Sequence, residues 1–168
     1  MLLKKIVFLF LAAAAPALAE ERVLDLGRGE ALRYEVLNVG DPRSARETAA
    51  QVLRRLAEGN IDEAAALSNS PQRRGEVLRD YLASVGDEEF KRVFAQYLQN
   101  RIVAEIAIGP RRLIIWDLAE ASHHLAGQYY VEVEGRFLMD DVPSEARSLL
   151  QRVLRSYRSP ATPSKRTD

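Results

Sequence analysis

The chain has 168 residues, with 24 Lys and Arg against 24 Asp and Glu, 47% hydrophobic residues and no cysteine. That composition excludes a disordered or low-complexity chain, and the length suits one folded domain. Balanced charge gives no general drive toward nucleic acid, and the lack of cysteine excludes thiol catalysis, disulfide exchange and cysteine-ligated zinc or iron.

The N-terminus opens with Lys4 and Lys5, an apolar run from Ile6 to Ala15, Pro16, and the small-residue signature Ala17-Leu18-Ala19 before Glu20. This is the layout of a secretory signal peptide, so residues 1–19 are expected to be removed after Ala19. The run is about half the ~20 residues that a spanning helix needs, so no membrane anchor is expected. No cysteine follows it to carry a lipid. A periplasmic protein, or alternatively a secreted one, is the expectation.

Residues 20–40 read as an N-terminal hairpin. Val23 to Leu26 and Ala31 to Val39 are extended candidates around Gly27-Arg28-Gly29-Glu30, and Leu32, Tyr34 and Val36 alternate with Arg33 and Glu35. From Asp41 the period becomes helical. Asp41-Pro42, or Ser44 with Glu47 as a capping box, can start a helix that presents Ala45, Ala49, Val52, Leu53 and Leu56 on one face. Gly59 ends it, Asn60 opens a short helix to Leu67, and Ser70-Pro71 opens a third with Val77, Leu78, Tyr81 and Leu82 as its stripe. A fourth follows Gly86-Asp87, and its Phe90, Val93, Phe94, Tyr97 and Leu98 read as core.

Beyond Arg101 the period is that of strands: Ile102 to Ile108, Arg112 to Leu118, His124 to Glu134, then Phe137 to Met139 after Gly135. The unbroken run Leu113-Ile114-Ile115-Trp116 suits a strand covered on both faces. A last helix starts near Asp141 or Ser144 and carries Ala146, Leu149, Leu150, Val153, Leu154 and Tyr157 on one face. Residues 159–168, with Pro160 and Pro163, read as a disordered tail. The expected class is α+β: helices packed on one side of a curved antiparallel sheet of three to five strands, N-terminal helices first and a C-terminal helix last.

The order helix, short helix, helix, sheet, together with Leu56-Ala57-Glu58-Gly59-Asn60-Ile61-Asp62-Glu63-Ala64-Ala65-Ala66-Leu67, resembles the NTF2-like superfamily over about residues 43–140. The domain is accordingly expected to span residues 41–158. The N-terminal strands and the helix after Pro143 depart from the superfamily's usual pattern. The resemblance implies a pocket between the sheet and the helices, used in that superfamily by isomerases, by dehydratases and by non-catalytic binding modules.

In such a pocket an acid–base role needs a carboxylate or histidine on a strand near an aromatic or hydroxyl donor. Asp117, beside Trp116, and His124 are the catalytic candidates, with His123 next to the latter; Trp116, Tyr129 and Tyr130 are the ligand-binding candidates. Asp117 also suits a turn, and adjacent histidines on a strand point to opposite faces and cannot share a metal. Glu120-x-x-His123 resembles half of a di-iron motif without a second copy, and Asp140-Asp141 lacks the ligand spacing of a calcium loop. The pairs Arg54-Arg55, Arg73-Arg74 and Arg111-Arg112 read as solvated faces. No Gly-x-Ser-x-Gly, His-Glu-x-x-His or phosphate loop occurs, and no cofactor is expected. The leading expectation is a non-catalytic module for a small apolar ligand or an envelope protein partner, with a homodimer as one form. An isomerase or hydratase is the alternative.

Overall fold

The computed structural model describes residues 19–118 and 124–159. The signal segment up to Leu18, the tail from Pro160, and Glu120 and His123 therefore lie outside the described residues.

Six antiparallel strands form one sheet in chain order: β1 (Ala19–Gly27), β2 (Glu30–Leu37), β3 (Arg101–Ile108), β4 (Arg111–Leu118), β5 (His124–Val133) and β6 (Arg136–Met139). The expected three to five strands become six because the N-terminal hairpin joins this sheet. Its turn places Gly27, Arg28 and Gly29 at positive φ, and β2 then pairs with β3 at Glu35 with Ala107 and Val36 with Ile106. Between β2 and β3 the chain runs through α1 (Arg46–Ala57), α2 (Ile61–Ala65), α3 (Pro71–Val85) and α4 (Asp87–Tyr97); α5 (Glu145–Arg158) follows β6.

Helices cover both faces of the sheet, not one. Helices α1 to α4 pack Val52, Leu53, Leu78 and Phe90 against Ile114, Trp116 and Tyr130 on one face. On the other, α5 packs Leu150, Val153 and Leu154 against Leu32, Tyr34, Ile106, Leu113 and Ile115. The alternation along β4 divides its unbroken apolar run between these two cores, which is why every residue from Leu113 to Trp116 is buried. Of the α4 residues read as core, Phe90 alone is wholly buried, its ring 4.8 Å from that of Phe94 and 5.7 Å from that of Tyr81; Phe94 and Tyr97 are partly buried against it, and Leu98 is exposed.

Two local expectations are corrected. Glu47 does not close a capping box on α1; it pairs with Arg54. The end of α1 is held by Glu105 of β3, whose carboxylate accepts from Ser44 Oγ at 2.6 Å, Ala45 N at 2.7 Å and Arg46 Nε at 3.1 Å. Nor are two of the arginine pairs solvated faces. Arg112 is buried, with Nε donating to Arg43 O at 2.8 Å and Nη1 to Gly109 O at 2.8 Å, and burial pulls its pKa down. Arg111 and Arg74 are bound to Asp140 and Asp141.

Candidate functional site

The sheet opens along one stretch of β5. β6 pairs only with Tyr130 to Val133 of this strand, and its own outer side is occupied where Met139 N donates to Leu67 O and Asn69 N to Met139 O. Asp140 N donates to Tyr129 O at 2.8 Å, and Arg158 Nε at the end of α5 donates to Leu125 O at 2.9 Å. Strand alternation places the backbone N–H and C=O of Gly127 on this same edge, between the two capped carbonyls.

A cavity of about 260 Å³ lies against this edge. Its apolar wall is Val52 and Leu56 of α1, Leu78 of α3, Phe94 of α4 and Met139; β5 contributes Gly127 to Tyr130, and Arg74, Asp140 and Arg147 complete it. Gly127 is required by close approach: a Cβ there would stand 2.6 Å from Leu154 Cδ2 and 2.9 Å from Leu113 Cδ1. The missing side chain lets α5 lie on β5.

On the α1 to α4 face the Gln128 carboxamide oxygen accepts two bonds, from Trp116 Nε1 at 3.2 Å and from the Tyr130 hydroxyl at 2.9 Å. Burial pushes the Tyr130 phenol far above its ordinary pKa, so it acts as a neutral donor. Tyr129 points to the opposite face, where the Arg147 guanidinium stands 5.1 Å from its ring centroid. Burial raises the Tyr129 pKa against the opposing pull of Arg147, Arg158 and Arg155.

Arg74 and Arg147 also line a neighbouring cleft of about 400 Å³ with Arg73, Val77, Asp141, Pro143, Ser144, Ser148 and Gln151. Arg74 is held by Asp141, which also accepts from Ser68 Oγ at 2.6 Å. Asp140 is buried and has both oxygens engaged, by Asn69 Nδ2 at 2.9 Å and Arg111 Nε at 3.1 Å. Ser144, not Asp141, caps α5 by accepting from Arg147 N at 3.1 Å. Arg147 is the exception in this network: its Nε is buried with no hydrogen-bond partner.

Of the residues singled out in the sequence, Trp116 and Tyr130 come together through Gln128, while Tyr129 lies on the other face. Asp117 pairs with Arg101 at 3.0 Å across β3 and β4. His124 is exposed at the start of β5, and alternation puts it on the face opposite Asp117. Neither lines the cavity or the cleft. Among the described residues no three His, Cys, Asp or Glu side chains are grouped to hold a metal ion.

Sequence reading missed Gln128, Arg74 and Arg147. The two arginines did leave a signal. Arg147 stands three and seven residues before Leu150 and Leu154, and Arg74 four and seven before Leu78 and Tyr81, so each is a charge at the head of an apolar helical stripe. No family model, no curated protein and no solved structure matches the chain.

Proposed function

We propose that the chain is an exported, non-catalytic binding module whose ligand is a small molecule with a mostly apolar body, held at the open edge of β5. The observation that carries this is the 260 Å³ cavity, in which apolar walls from three helices meet a few convergent polar groups. A non-catalytic role is favoured because Asp140, the only carboxylate lining the cavity among the described residues, has both oxygens committed to Asn69 and Arg111. The NTF2-like resemblance belongs to this reading, since it implies a pocket between sheet and helices. Export rests on the first nineteen residues, and β1 begins at Ala19, so cleavage there leaves the strand from Glu20 intact. N-terminal sequencing of protein from its own cells should start at Glu20; retention of Met1 would contradict export.

The 260 Å³ cavity has room for about nine water-sized groups, enough to admit a six-carbon chain. Titration with hexanol, followed by amide NMR shifts, should move Gly127, Gln128, Leu78 and Phe94 together and saturate. Shifts that are absent, or that spread over the whole surface without saturating, would overturn the reading. Self-association is a second reading, favoured by β1, which is an edge strand of the sheet. Light scattering at high micromolar concentration should then give a dimer mass, and a monomer mass would remove it.

A further inference from the structure

Building on that binding reading, we infer that the ligand is an amphiphile with an oxyanion head, of phosphate or carboxylate type, seated in the cleft between Arg73 and Arg147 while its apolar body occupies the β5 cavity. The two spaces lie side by side, each lined by Arg74 and Arg147, which sets an apolar site next to a cationic one. Among the described residues Arg73, Arg74 and Arg147 line the cleft against a single carboxylate, Asp141, so its lining carries two more positive charges than negative. Asp141 is spent on Arg74 and Ser68. Arg73 is exposed. Among the described residues Arg147 makes no ion pair, and its buried Nε has no hydrogen-bond acceptor, which costs free energy. Its guanidinium carbon stands 5.1 Å from the Tyr129 ring centroid, a cation–π contact that holds the group beside the cleft before a ligand arrives. An oxyanion in the cleft supplies the opposing charge, and guanidinium forks match both carboxylate and phosphate.

The test is calorimetric titration of the mature protein with hexyl phosphate, hexanoate, hexanol and inorganic phosphate, repeated on Arg147→Met and Arg73→Met, with circular dichroism melts to show that each variant folds. Hexyl phosphate and hexanoate should bind about 10- to 100-fold more tightly than hexanol, and each substitution should shrink that preference by about tenfold or more. Arg73 is exposed and its replacement does not threaten the fold, so the inference stays testable if Arg147→Met melts. Equal affinity for hexanol and hexyl phosphate, or a preference that survives both substitutions, would overturn the anionic head while leaving the binding reading standing. Inorganic phosphate binding as tightly as hexyl phosphate would overturn the joined site, since the head would then bind without the cavity. Failure of all four probes would overturn the binding reading itself.

Discussion

Glu105 and Gly127 each carry a role set by residues distant in the chain, and Gln128 ties Trp116 of the neighbouring strand to Tyr130 two positions on. Glu105 serves Ser44, Ala45 and Arg46, some sixty positions earlier. A substitution to Ala orphans the Ala45 amide, and denaturant unfolding should show a loss of about 1–3 kcal/mol. Gly127→Ala sets a methyl against Leu154 and Leu113, and the overpacking should likewise cost about 1–3 kcal/mol, with little change in far-UV dichroism. Gln128→Leu strands two buried donors, Trp116 Nε1 and Tyr130 Oη, at about 1–3 kcal/mol each, whereas Tyr130→Phe removes one donor and leaves Gln128 still bonded to Trp116, so it should cost less, about 1 kcal/mol. None of these roles was legible in the sequence, because a hydrogen-bond partner or a steric neighbour across the sheet leaves no trace in local period. What was legible was the burial of Trp116, inside the unbroken apolar run of β4; the complete burial of Tyr130 was not, because alternation groups it with Glu132 and Glu134.

The elements were easier to read than their relations. Helical stripes located α1 to α4, and alternation located β2 and β5, because both periods are local properties of the chain. The hairpin's membership in the sheet was hidden, since β2 reaches β3 across four helices and pairs with it through only two positions. The connection leaving β2 is secured by Asp41, which accepts from Arg43 N at 2.9 Å, Nε at 3.1 Å and Nη2 at 2.9 Å. The Arg43 guanidinium holds this carboxylate below its ordinary pKa. A group whose pKa is depressed on folding contributes stability above its unfolded value, near pH 4, and loses it as the pH falls through the folded value. Thermal melts should therefore fall in Tm below about pH 4. Asp41→Asn should lower Tm at pH 7 and flatten that acid limb; an unchanged limb would show that Asp41 does not contribute to it.

At the scale of the whole molecule, two helical layers enclose one sheet, and the second layer is α5 alone. The run Leu113 to Trp116 already required cover on both faces, and the face on α5 from Leu149 to Tyr157 supplied it, yet the sequence reading placed every helix on one side. Local pattern states that a face must be buried, and not against what. Truncation at Pro143 would bare Leu32, Ile106, Leu113 and Ile115, and such a chain should bind a hydrophobic dye and lose its cooperative melt. The same helix brings Arg147 to the edge of β5, so the layer that completes the core also completes the site. The central claim is that a ligand occupies this edge, and native mass spectrometry of the mature protein taken from its own cells, before and after denaturation, tests it most directly. The account predicts a small adduct, of amphiphilic and anionic character, that leaves on denaturation and is depleted in Arg147→Met. A bare protein mass under both conditions, from gently extracted material, would contradict it.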